Sequence, residues 1–162
     1  LIKFLPKNFK DEKMSYARLL EGRFSETNRA YFITTVTHNR LPVFENLYCA
    51  RDLIQCIKEL HEVNAVYSLS WVVMPDHLHW LFQLSLPGSL HGVVKRLKGT
   101  SSRTINQRLG RRGALWQKAY YDRAVRDGED LKALSRYIVA NPLRAHLVDD
   151  IGHYSNWDAI WL

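Results

Sequence analysis

Two apolar runs separated by three residues constrain this chain more than any other feature. Val66 to Val73 (V-Y-S-L-S-W-V-V) and His77 to Leu84 (H-L-H-W-L-F-Q-L) are rich in β-branched and aromatic residues. Pro75 and Asp76 between them supply a turn, so the pair reads as a β-hairpin. Helical periodicity lies on both sides of it. Glu45 to Val63 carries apolar positions at helical spacing. After the break at Pro87 and Gly88, Ser89 can cap a second helix whose Leu90, Val93, Val94, Leu97 and Ile105 turn one way and its Lys and Arg residues the other. Ala30 to Thr37 reads as the first strand and Tyr120 to Val125 as the fourth. A last helix follows the acids Asp127, Glu129 and Asp130, which suit its N-terminus; it presents Leu131, Leu134 and Ile138 and ends at Pro142.

The order β-α-β-β-α-β followed by a helix predicts an α+β fold. It is that of a ferredoxin-like two-layer sandwich, an antiparallel sheet with helices on one face plus a C-terminal helix bearing Tyr137. With 162 residues the chain suits one such domain. No apolar run approaches the roughly 18 residues needed to cross a bilayer, and Leu1 to Lys13 is unlike a signal peptide, so a cytoplasmic protein is expected. Cys49 and Cys56, seven apart on the first helix, read as buried thiols.

Charge is segregated along the chain. Between His77 and Tyr121 there is no Asp or Glu. Lys95, Arg96, Lys98, Arg103, Arg108, Arg111, Arg112 and Lys118 give that segment +8, against +7 for the whole chain. Such a stretch is either a solvated helix face or the footprint of a protein that meets nucleic-acid phosphates. Trp116, Tyr120 and Tyr121 beside it are either stacking platforms for single-stranded bases or core aromatics.

In a strand, side chains alternate, so His77 and His79 point the same way about 6.5 Å apart along the chain, while Leu78, Trp80 and Phe82 point the other way. Two imidazoles so placed are either surface histidines or a metal clip. Other His-x-His families fit poorly: amidohydrolase barrels are longer, cupins are all-β, and a histidine-triad hydrolase needs a third His where Leu81 stands. Tyr137 and Asn141 lie four apart, one turn of helix, at the border of the apolar stripe.

Three blocks together, M-P-D-H-L-H-W, W-Q-K-A-Y-Y-D-R and S-R-Y-I-V-A-N-P-L-R, resemble the REP-associated tyrosine transposases, a branch of the HUH single-tyrosine transposases related to insertion-sequence enzymes. The likeness covers about Phe24 to Val148. It implies a catalytic domain over residues 24–148, an extension over 1–23 and a tail over 149–162, the last two matching nothing in the family. It also implies Mg²⁺ or Mn²⁺ held by His77, His79 and Asn141, with Tyr137 as nucleophile forming a 5′-phosphotyrosine on single-stranded hairpin DNA. No nucleotide cofactor is implied, and relatives are monomers or homodimers. Tyr120 and Tyr121 are rival nucleophiles lacking an Asn four residues on. A silent hairpin-binding module, or a nuclease that uses water, would carry the same basic helix.

Overall fold

Strand alternation within the hairpin decides which side of the sheet each layer takes. The computed structural model describes residues 28–85 and 88–162. In chain order these form β1 (Ala30–Val36), α1 (Leu47–Glu62), β2 (Val66–Met74), β3 (His77–Leu84), α2 (Leu90–Arg108), β4 (Tyr121–Ala124), α3 (Leu131–Val139), a single turn α4 (Asn141–Arg144) and β5 (Trp157–Ala159). The sheet runs β4-β1-β3-β2-β5 with every neighbouring pair antiparallel. β1 and β2 are therefore parallel with β3 inserted between them. This is the split βαβ arrangement expected from the element order, with α1 and α2 as its two crossovers.

Leu78, Trp80 and Phe82 of β3 join Tyr31, Ile33, Trp71 and Val73 beneath α1 and α2. On the other face, Leu81 joins Phe32, Val72 and Met74 beneath Leu134 and Ile138 of α3. The two crossover helices thus share one face, and α3 lies on the other. Helix starts follow the polar residues that precede them. Asn46 accepts from the Tyr48 and Cys49 amides, Ser89 from Gly92, and Asp130 from Lys132 and Ala133. Each such cap contributes about 1 kcal/mol by satisfying amides the helix cannot. Cys49 and Cys56 are buried and unbridged on the inner side of α1, and burial pushes both thiols up, Cys56 to about 11. They are inert packing groups, as expected.

The segment read as a tail is part of the sheet. Trp157–Ala159 pairs with β2, the Tyr154 hydroxyl donates to the Val73 carbonyl at 2.7 Å, and Trp157 and Trp161 pack against the core beneath α3. A three-residue strand interrupted by Asp158 is too short for alternation to reveal. The extension over 1–23 and Pro87 lie outside the described residues.

Candidate active site

Strand register gathers the site on the α3 face. Directly opposed residues of antiparallel strands share a face, so Tyr121 of β4, Thr34 of β1, His79 of β3, Val72 of β2 and Trp157 of β5 form one row across the sheet. His77 stands in the next row, between Val36 and Met74, its ring centroid 4.7 Å from that of His79. The two imidazoles expected to share a face therefore do so.

Each ring is oriented through Nδ1. His77 Nδ1 lies 2.5 Å from Asp76 Oδ1, and Arg40 donates to the other carboxylate oxygen at 2.9 Å. A carboxylate only accepts, so Nδ1 of His77 carries the proton and a neutral ring keeps its Nε2 lone pair. His79 Nδ1 sits 2.7 Å from Thr34 Oγ1, and its ring stacks on Phe32 with centroids 5.5 Å apart. When Nδ1 donates to the hydroxyl, Nε2 of His79 is likewise left as an acceptor.

Electrostatics keep this pair poised. Burial, helped by the charges of His77 and Arg144 and opposed by Asp76, lowers the pKa of His79 to about 3. Burial alone would raise Asp76, but the hydrogen bonds and charges of His77 and Arg40 outweigh it and hold the carboxyl below its usual range. In the unfolded chain an ordinary histidine takes a proton near pH 6.5, whereas His79 in the fold resists until about pH 3. Stability from His79 is therefore fully present above pH 6.5 and is lost as pH falls toward 3, by at most about 1.4 kcal/mol per pH unit. Urea midpoints of the metal-free protein should drop between pH 6.5 and 5, and His79→Gln should flatten that drop. An unchanged slope in the variant would remove His79 as its cause.

α3 packs across β2 and β3, which brings Tyr137 to the same face. Leu134, Ser135, Ile138 and Val139 are buried beneath α3, and Tyr137 is half-buried at the border, as the helical wheel predicts. Pro142 breaks the ladder after Val139. The Asn141 amide nitrogen donates to the orphaned carbonyls of Tyr137 (3.2 Å) and Ile138 (2.8 Å). That cap occupies the donor end of Asn141, and its Oδ1 is the acceptor end. One turn further, the Arg144 guanidinium carbon lies 4.2 Å from the centroid of the Tyr137 ring.

The residues expected to bind nucleic acid are divided. α2 covers the sheet face opposite the imidazoles, so its basic side does not line the same surface. Lys95, Arg96, Arg103 and Arg112 are exposed there, and no carboxylate among the described residues pairs with them. Lys98 instead donates to the Gln117 and Ala119 carbonyls and lies 5.3 Å from the Tyr120 ring, fastening the approach to β4. Arg108 makes a two-pronged pair with Asp52 of α1 (2.6 and 2.9 Å) over the Tyr48 ring, and Arg111 donates to the Ala114 carbonyl. Trp116 corrects the expectation of a stacking platform. It is 6% exposed, packed on Phe44 and bonded to Ser101, so its face is already used by the core. Tyr121 is half-buried in the imidazole row and meets Phe32 edge-on, whereas Tyr120 packs on the α1 and α2 side.

Sequence reasoning missed Thr34, Arg40, Asp76 and Arg144. Asp76 stands beside His77 in the M-P-D-H run and was read only as a turn residue. Arg40 carried no sequence signal: it reaches Asp76 because Asn39 and Arg40 are consecutive left-handed residues, φ 54° and 52°. Each costs about 1 kcal/mol or more, strain of the kind that gathers at functional sites.

A split βαβ sheet, an imidazole pair on one face and a tyrosine-bearing helix packed over that face form the frame expected of a single-tyrosine transposase. Comparison with known proteins makes the assignment. Residues 25–141 match the family model described as Transposase IS200 like, and the chain belongs to that family. It is 24% identical over 129 residues to a candidate REP-associated tyrosine transposase of Haemophilus influenzae, covering 74% of this chain and 73% of that one. Among solved structures, a REP-associated tyrosine transposase bound to a REP hairpin superposes with a TM-score of 0.68 at 18% identity, covering 83% of this chain and 79% of that one. A candidate transposase from Deinococcus radiodurans gives a TM-score of 0.52 at 22% identity, over 72% and 92% of the two chains. At these identities the superpositions speak for the fold. No helix among the described residues is long and apolar enough to cross a membrane.

Proposed function

We propose that this protein cleaves and rejoins single-stranded DNA beside hairpin-forming repeats, with Tyr137 as nucleophile and a divalent metal, Mg²⁺ or Mn²⁺, at His77, His79 and Asn141. The observation that carries this reading is the imidazole pair whose Nδ1 atoms are both occupied, by Asp76 and Thr34, on the face covered by the tyrosine helix. Metal-binding histidines are oriented in just this way by groups behind them. Two neutral imidazoles and one amide oxygen, the Asn141 nitrogen being held by helix carbonyls, suit several first-row divalent ions, and the family resemblance favours Mg²⁺ or Mn²⁺ among the candidates.

When bound, the metal would draw charge from a non-bridging oxygen of the scissile phosphate and so favour attack on phosphorus. The remaining work falls to side chains. A phenol ionises near pH 10 in water, so Tyr137 has to be aimed and its departing proton accepted by solvent as the oxygen attacks. The bond from phosphorus to the 3′ oxygen breaks, that oxygen leaves as a protonated 3′-hydroxyl, and Tyr137 is joined to the 5′ phosphate. Because one phosphodiester replaces another, a 3′-hydroxyl of the same or another strand can reverse the step without ATP. Lys95, Arg96, Arg103 and Arg112 would hold phosphates of the hairpin on the α2 side. The single strand would then pass around the sheet toward the imidazole face, and affinity would fall with salt.

Incubating labelled hairpin DNA with the protein in Mn²⁺ or EDTA and resolving it on a denaturing gel tests the reading. A covalent adduct with Mn²⁺ and none with EDTA is expected. Salt-dependent binding without any adduct across varied hairpins would instead make the protein a silent binding module. Asp76 provides a second check. Asp76→Asn removes the carboxylate that fixes the His77 proton, and Mn²⁺ affinity measured by calorimetry should fall about 10- to 100-fold with the fold intact. Unchanged affinity would show that His77 is not a ligand held through Asp76.

A further inference from the structure

After α3 ends at Val139, the chain makes one further helical turn, α4, across Pro142. The Ala140 amide bonds to the Arg136 carbonyl, Arg144 to Ala140, and Ala145 to Asn141. That turn brings Arg144 back beside Tyr137. Arg144 is exposed, and among the described residues neither a carboxylate nor a hydrogen-bond acceptor holds its side chain. What it touches is the Tyr137 ring, at 4.2 Å.

A guanidinium resting on a ring face is oriented by cation–π attraction, yet its N–H edge stays available. That edge matches two phosphate oxygens. We propose that Arg144 grips the scissile phosphate in a two-pronged contact, using the Tyr137 ring as its rest, and thereby aligns phosphorus with the Tyr137 hydroxyl. The inference rests on Tyr137 being the nucleophile. It gives the site a second cationic contact to the phosphate, independent of the metal. As a bond forms to the tyrosine oxygen, negative charge gathers on the non-bridging oxygens, and a fixed donor pair stabilises it more than it stabilises the resting diester.

The test is the single-turnover rate of adduct formation by wild type, Arg144→Gln and Arg144→Lys, in saturating Mn²⁺. Substrates are hairpin DNA with an ordinary scissile phosphate and with each methylphosphonate diastereomer, in which one non-bridging oxygen is a methyl group. Arg144→Gln should slow adduct formation on the ordinary phosphate by about 10²- to 10³-fold, and Arg144→Lys should recover roughly tenfold of that. The thermal midpoint should stay near wild type, since the side chain is exposed. On the diastereomer lacking the oxygen that Arg144 contacts, wild type has already lost the interaction, so the Arg144→Gln penalty should shrink to a few-fold. An equal penalty on all three substrates would overturn the proposal in favour of a merely structural role. Wild-type adduct with Arg144→Gln at the wild-type rate would overturn it and leave Tyr137 in place as nucleophile. No adduct with wild type would overturn both.

Discussion

Tyr137→Phe should abolish the covalent adduct, reducing its rate by at least about 10⁴-fold, while hairpin affinity stays within a few-fold of wild type. That loss is about 5.5 kcal/mol of activation free energy, and it removes one oxygen atom. The ring that supports Arg144 and borders the buried side of α3 is retained, so the fold should be untouched. Electrophoresis of 5′- and 3′-labelled strands reads the adduct, and a filter or anisotropy titration reads binding. The structure also names the rival. Tyr121 lies in the imidazole row, next to Thr34, which is bonded to His79. Tyr120, its neighbour, packs on the opposite face. An adduct that survives Tyr137→Phe and disappears in Tyr121→Phe would transfer the nucleophile to β4. Cleavage products that form in Tyr137→Phe without any adduct would point to water as the attacking group.

The second large effect concerns folding. Trp116→Ala should destabilise the protein by about 3–5 kcal/mol, the range found when a large aromatic is removed from a core. Trp116 is buried against Phe44, donates from its indole to Ser101 at 3.0 Å, and bridges to Thr37 at the end of β1. Removing it would open a cavity where α2, the segment around Phe44 and the approach to β4 meet. Urea unfolding at constant m-value is the measurement. A stability change under about 1 kcal/mol, together with single-strand binding weakened by the 1–3 kcal/mol typical of one lost base stack, would restore the platform role. The distinction matters for the interface. With Trp116 in the core and Lys98 and Arg108 engaged within the fold, the exposed positive charge of the α2 side rests chiefly on Lys95, Arg96, Arg103 and Arg112.

Much of the fold was legible because it depends on periodicity. The β-branched and aromatic content of Val66 to Val73 and His77 to Leu84, with the Pro75–Asp76 turn, predicted the hairpin, and apolar spacing predicted α1 within two residues at each end and the existence of α2 and α3, the last ending three residues before Pro142. The strand β5 was not legible, since three residues cannot display a period and its pairing with β2 is a long-range choice. Charge was legible only as a total. Eight cations in a segment free of acids could not reveal that Arg108 meets Asp52, 56 residues earlier in the chain.

The site divides in the same way. The sequence by itself determined that His77 and His79 share a face and that Tyr137 and Asn141 fall one helical turn apart, because strand and helix geometry fix side-chain direction locally. Tertiary structure alone decided that α3 lies over the imidazole face and α2 over the other. It alone placed Thr34 and Asp76 behind the two rings, drew Arg40 onto Asp76 and buried Trp116. Those choices join residues far apart in the chain, and they are set by which apolar surfaces can be covered together and which buried polar atoms find partners, quantities that no local pattern contains.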